Sequence, residues 1–156
     1  MSTTTKPGQY RDTKIDVKLV LSALWITMLI VFAYVDIFGF FRADILDAAL
    51  DGKVATMGIA VDQGFLAFTT AYILIPTLMV VLSLVLRSRV NRIVNIVVAL
   101  LYAVSIIASC IGEEWVYYLL GSAVEVVLLV AIVRTAWTWP RTQVTDGGAP
   151  GGRSPG

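Results

Sequence analysis

The sequence predicts an all-α fold: an integral membrane four-helix bundle with its N-terminus and C-terminus in the cytoplasm. Three observations predict it. Hydrophobic residues make up 58% of the chain and charged residues 15%, against roughly 45–50% and about 25% in soluble domains. Mean hydropathy is +0.82, too high for an ordinary soluble surface. The apolar residues also gather into runs about as long as a helix needs to cross a hydrocarbon core of ~30 Å.

The runs define a membrane domain over 19–141, with spans at about 19–41, 64–86, 90–112 and 116–137. They begin LVLSALWITM, GFLAFTTAYI, VNRIVNIVVA and VYYLLGSAVE. Backbone groups in lipid must be satisfied within the segment, and runs this uniformly apolar do not read as barrel strands. A soluble bundle would need charges at regular spacing on every helix, and the second run has none from Gly64 to Leu86. The first run is too long for a secretion signal and lacks a small-residue cleavage site, so it reads as a retained span.

Charge orients the spans. Residues 1–18 form a cytoplasmic N-terminal segment carrying Lys6, Arg11, Lys14 and Lys18. Arg87, Arg89 and Arg92 lie around the second turn, and Arg134, Arg141 and Arg153 lie toward the end. The opposite side holds Arg42 and Lys53 among Asp44, Asp47, Asp51, Asp62, Glu113 and Glu114. Ten basic residues against two place both ends in the cytoplasm, because short cytoplasmic loops collect lysine and arginine. Trp115, Tyr117, Tyr118, Trp137 and Trp139 fall at the two interfaces of the last span, where amphipathic rings settle. The predicted location is the inner (plasma) membrane, crossed several times.

The connections are short apart from the first outer loop, about Arg42 to Gln63. Within it "RADILDAAL" forms a short helix with Ile45, Leu46, Ala49 and Leu50 on one side. It reads as an ordinary linker helix or as a lid over an outward-facing pocket. Residues 142–156, rich in glycine and proline, read as a disordered tail.

Few residues can carry chemistry. There is no histidine, which removes haem ligation by histidine and Ser-His-Asp or Cys-His catalysis. Cys110 is the one cysteine; it reads as a packing residue, with an intermolecular disulfide or reactive thiol as the alternative. No nucleotide, zinc or iron–sulfur motif is present, so no cofactor and no metal are predicted. The expected surroundings are the lipid bilayer and either further copies of the chain or a partner membrane protein, with no nucleic acid.

Glu125 is the strongest candidate. It lies about 14 Å into the last span by helix rise, and a carboxylate there is costly unless it faces protein or water, or carries a proton. Gly121 and Ser122, one turn earlier, favour close packing, so Glu125 is expected to point inward. Asp36 lies about 8 Å inside if the first helix reaches Phe41; a helix ending at Tyr34 would make it an interface or cap residue. Tyr34, Tyr72 and Tyr102 occupy the same outer half, with Thr69, Thr70, Ser105, Ser109 and Ser122 at similar levels. The inner half holds mainly Asn95, Thr77 and Ser83. This distribution predicts either a polar cavity open to the outside or a satisfied hydrogen-bond network. Pro76 frees a backbone carbonyl near Tyr72 and is expected to kink its helix. Gln63 and Gly64 read as the cap or turn at the start of the second span. Asn91, Arg92 and Asn95 open the third span and could meet lipid phosphate.

"LSALWI" at 21–26, "YVDIFGF" at 34–40, "DQGF" at 62–65, "RIVNIV" at 92–97, Glu125 and "AWTWP" at 136–140 together resemble a family of small bacterial membrane proteins classified only as a domain of unknown function. The resemblance covers roughly residues 14 to 141. It implies four spans and acidic residues at Asp36 and Glu125, and no reaction. More loosely, the chain resembles four-span families of the DoxX-like kind, some linked to quinone or thiol redox processes; a single Cys110 gives that chemistry little support.

Three functions follow as expectations. A small solute or proton could be bound or moved through an outward-facing polar cavity, although no inverted repeat or broken helix pair is visible. The chain could be a structural or accessory subunit of a membrane complex. An enzyme acting on a lipid or quinone is least supported, because no nucleophile–base arrangement accompanies the carboxylates.

Overall fold

The computed structural model describes residues 15–55 and 57–139. Its elements are α1 (Val17–Gly39), α2 (Ala43–Leu50), α3 (Gln63–Val85), α4 (Ser88–Ser109) and α5 (Val116–Trp137). Four of these, α1, α3, α4 and α5, are long and apolar enough to cross a membrane. The tail at 142–156 and residues 1–14 of the N-terminal segment lie outside the described residues.

Local chemistry sets the helix ends. The Asp16 carboxylate accepts from the Lys18 backbone N–H at 2.7 Å, and Asp62 accepts from Phe65 at 2.8 Å. Each satisfies a donor that the first helical turn leaves free. The α3 cap is therefore Asp62, not the Gln63–Gly64 pair favoured from sequence. α1 starts and ends two residues earlier than the sequence reading, so Asp36 sits on its final turn. α3 runs unbroken from Gln63 to Val85 past Pro76.

α1 packs along α3 and α5, and α5 along α4, while α3 and α4 meet only thinly. The circuit is thus α3–α1–α5–α4, closed by a loose seam. Short turns make sequential spans antiparallel. The start of α1, the α3–α4 turn and the end of α5 share one side, which also carries Lys18, Arg87, Arg89 and Arg92. The opposite side carries α2 and the α4–α5 connection. At the basic side the Lys18 ammonium donates to the Leu84 carbonyl at 3.0 Å, so its stem lies along the bundle while its charge caps the end of α3. Arg92 stacks over the Trp137 ring, 5.2 Å from its centroid.

Only 11% of the most apolar window of α3 and 28% of that of α4 are buried inside the chain. The outer faces are Leu, Ile, Val and Phe, exposed among the described residues. In water this would be a large exposed apolar surface; in a bilayer lipid tails cover it. The chain is therefore a multi-pass membrane protein.

On the far side, Arg42 fastens the first loop. Its guanidinium meets Asp44 at 2.7 Å and Glu113 of the α4–α5 connection at 3.2 Å, and lies over the Trp115 ring at 4.6 Å. The hydrogen bond with Arg42 holds the Asp44 carboxyl below its ordinary range, and the bond with Asp44 raises Arg42 further. Beyond α2 the chain makes a small hairpin, with Lys53 opposite Ala60 and the Val54 N–H donating to Ile59 at 2.8 Å. Gly58 turns it at φ 63°, a conformation that costs other residues more.

Candidate functional site

The polar residues of the bundle separate into two layers. The layer toward the basic side is closed. Trp25 of α1 donates its indole N–H to the Asn95 side-chain oxygen at 2.7 Å. The Ser83 hydroxyl of α3 reaches the same oxygen at 3.1 Å. The Asn95 amide donates to the Asn91 carbonyl at 2.9 Å and to its side-chain oxygen at 2.6 Å. Asn91 in turn donates to the Ser83 carbonyl at 2.6 Å. Trp25, Ser83, Asn91 and Asn95 are fully buried, among Leu21, Met28, Met79, Ala99, Leu129 and Ile132. Asn91 and Asn95 are thus not available to lipid phosphate. They share the inward stripe of α4 with Ala99, Tyr102 and Ile106, which recurs at helical spacing. Thr77 does not join the layer; it is exposed and bonds its own Ile73 carbonyl at 2.8 Å.

The layer toward α2 is open. It surrounds a cavity of about 190 Å³ to which α1 gives Phe32, Val35 and Asp36, α3 gives Tyr72, α4 gives Ser105, Ile106 and Ser109, and α5 gives Tyr118, Ser122 and Glu125. On α5 those positions fall at i, i+4 and i+7, one face of a helix. Glu125 and Ser122 are buried and form the floor, while Asp36 and Ser109 are exposed and form the rim. Glu125 is 2% exposed, and its Oε1 atom is buried without a hydrogen-bond partner. Buried polar atoms nearly always have one.

Hydroxyl relays line the walls. The Ser105 hydroxyl donates to the Tyr102 carbonyl at 2.9 Å, so the 2.6 Å contact between Tyr72 and Ser105 is donated by Tyr72. One turn further out, Ser109 donates to the Ile106 carbonyl at 2.8 Å and receives from Tyr118 at 2.9 Å. Tyr102 donates to the backbone carbonyl of Tyr72. That carbonyl lies four residues before Pro76, which has no N–H to give it. The tyrosine of α4 thus replaces the bond that the proline removes.

Gly121 brings α5 close to α1. A Cβ added there would collide with the Val35 side chain, a clash that valine's stiff χ1 cannot relieve cheaply. The absent side chain lets the floor of the cavity sit directly against Val35.

The structure brings Asp36, Glu125 and Tyr72 to one cavity and puts Tyr102 directly behind its wall. Tyr34 lies apart from them. It is 57% exposed and packs on Phe38 at 6.1 Å between ring centroids. Two residues correspond to about 200° of helix rotation, so Tyr34 faces away from Phe32 and Asp36. Thr69 and Thr70 bond their own helix carbonyls at 3.0 and 2.8 Å and stay outside the lining. Among the described residues none of α2 or its loop lines the cavity, which leaves the lid reading without a contact there. Tyr118, expected only as an interface ring, belongs to the site; its spacing from Ser122 and Glu125 was the available signal. Among the described residues no group of three His, Cys, Asp or Glu converges to hold a metal.

A family model described as a family of unknown function (DUF6326) matches residues 11–146. No curated protein matches the chain, and no solved structure does.

Proposed function

The chain belongs to the DUF6326 family, which assigns it no activity, and from its own geometry we propose that it binds a small polar solute within the membrane, in a cavity entered from the α2 side. The observation that carries this reading is Glu125, which lines the floor of the cavity with a carboxylate that no side chain among the described residues bonds. An occupant that donates a hydrogen bond to the carboxylate partners it, at a depth where an unpaired one is costly. The dry layer below, with its hydrogen-bonded Trp25–Asn95 network, supports binding from one side over conduction through a single chain. The lysine and arginine distribution supports an inner (plasma) membrane with the cavity facing outward.

Other readings have less support. Glu125 is enclosed by this chain's own four spans, which disfavours docking of a partner's span onto it. No hydrogen bond joins Glu125 to a hydroxyl among the described residues, so a lipid- or quinone-directed enzyme lacks an activated nucleophile. A DoxX-like thiol function would rest on Cys110, which caps α4 and does not line the cavity.

The test uses a Cys110→Ala background in sealed vesicles of known orientation. Ser122→Cys is expected to react with a membrane-impermeant thiol reagent added on the α2 side, and not from the other side. Ala99→Cys, in the dry layer, is expected to stay unreactive from both. Unreactive Ser122→Cys, or equal labelling of both positions, would overturn the proposal.

A further inference from the structure

The donor and acceptor inventory of the cavity narrows its occupant. Tyr72 spends its hydroxyl hydrogen on Ser105, and Ser105 on the Tyr102 carbonyl. Tyr118 spends its hydrogen on Ser109, and Ser109 on the Ile106 carbonyl. Only the Ser122 hydroxyl has no partner assigned. The walls are thus poor in donors, and the Glu125 carboxylate offers acceptors alone once an occupant brings the positive charge that keeps it ionised. Among the described residues no lysine or arginine lines the space, and on the α2 side Arg42 is engaged by Asp44 and Glu113. Glu125, 2% exposed and with an unpartnered oxygen, faces this space together with Asp36 at the rim.

Positive charge is what such a site lacks. Hard metal cations want about six to eight oxygen ligands, and two carboxylates at different depths are a poor cage. The cavity, at about 190 Å³, is also far roomier than a bare metal ion needs. Its walls include the rings of Phe32 and Tyr72, 6.3 Å apart and tilted by 43°, and that of Tyr118. Aromatic faces attract organic cations and suit alkylated ammonium groups.

Resting on the solute-binding reading, we infer that the cavity takes an organic ammonium group, its nitrogen directed toward Glu125 and its carbons against the Phe32 and Tyr72 rings. Asp36 at the mouth draws the cation in. The group belongs either to a free solute or to a lipid headgroup, since Asp36 at the rim sits on the last turn of a membrane-spanning helix.

The experiment is calorimetric titration of the full chain in phosphatidylglycerol nanodiscs, which hold no ammonium lipid. The probes are choline and its uncharged isostere 3,3-dimethylbutan-1-ol. Choline is expected to bind saturably and the isostere not. Glu125→Gln is expected to weaken choline by about tenfold or more, and Asp36→Asn by less, since a desolvated partner counts for more than a rim charge. Because both probes are compared on the unaltered protein, the result does not depend on a variant folding. Loss of the choline signal in nanodiscs containing phosphatidylethanolamine would support the inference with the lipid headgroup as source; an unchanged signal would support it with a free solute. Equal binding of both probes would overturn the ammonium assignment and leave the solute-binding reading standing. Binding of neither, with Ser122→Cys still labelled from the α2 side, would also overturn only the ammonium assignment. Binding of neither with Ser122→Cys unreactive would overturn both.

Discussion

Replacing Asn95 with leucine tests the division of the bundle into a closed and an open layer. The Asn95 amide is fully used: its oxygen accepts from Trp25 and Ser83, and its nitrogen donates twice to Asn91. Leucine has as many side-chain heavy atoms and is somewhat bulkier, so no cavity forms and crowding adds to the cost. It strands the Trp25 indole N–H and the Asn91 side-chain oxygen in a dry environment, whereas Ser83 can turn to a carbonyl of its own helix. An orphaned buried group costs about 1–3 kcal/mol, and single hydrogen bonds within membrane bundles average only about 0.6 kcal/mol. The expected loss is therefore about 2–4 kcal/mol, read from reversible unfolding in mixed micelles by near-ultraviolet circular dichroism. Trp25→Phe removes the stranded donor, so the double variant should be less unstable than the two single losses together, by about 1 kcal/mol. Solute binding should persist in any variant that stays folded, because the open layer keeps its side chains. A loss below about 0.5 kcal/mol with strict additivity would refute the network as described.

Three further predictions follow from the same structure. Tyr102→Phe should cost about 1 kcal/mol in the native chain and close to nothing beside Pro76→Ala, whose restored N–H takes the Tyr72 carbonyl; unfolding of the four variants measures the coupling. Gly121→Ala should destabilise by about 1–3 kcal/mol through its clash with Val35, and Val35→Ala in the same chain should recover most of that, read by the same assay. Arg42 holds the Asp44 carboxyl below its ordinary value, so the contribution of that pair is present at neutral pH and is lost as pH falls through the lowered value. Amide protection of 43–50, corrected for intrinsic exchange, should fall over that acid range in the native chain, and Asp44→Asn should flatten the pH dependence.

The four spans were legible because lipid imposes one rule on every residue of a crossing segment, and no tertiary knowledge is needed to apply it. Glu125 was legible for the same reason: mid-span charge stands out against apolar neighbours. The inward turn of Asp36 and the outward turn of Tyr34 were not separable by depth. They share a level and differ only in rotation about α1, which the sequence reading did not resolve. Asn91 and Asn95 were misread because their level, near the basic end, suggested headgroups; their spacing with Ala99 and Tyr102 carried the contrary signal. The pairing of Trp25 with Asn95 joins residues 70 positions apart, and no local pattern announces it. Pro76 did announce a free carbonyl, but only the fold reveals that Tyr102 takes it.

The circuit α3–α1–α5–α4 has a consequence for biogenesis. α3 and α4 leave the ribosome as a tight hairpin, yet in the finished protein each leans mainly on another helix, α3 on α1 and α4 on α5. α5 supplies the two broadest contacts of the bundle, with α1 and with α4, and it also brings Tyr118, Ser122 and Glu125. Until it inserts, α1 and α4 meet through Trp25 and Asn95 alone among the hydrogen bonds described, and the cavity has no floor. Chains stalled before residue 116 would hold three spans and no cavity floor, so the polar cavity is completed in the same step that locks the helices together.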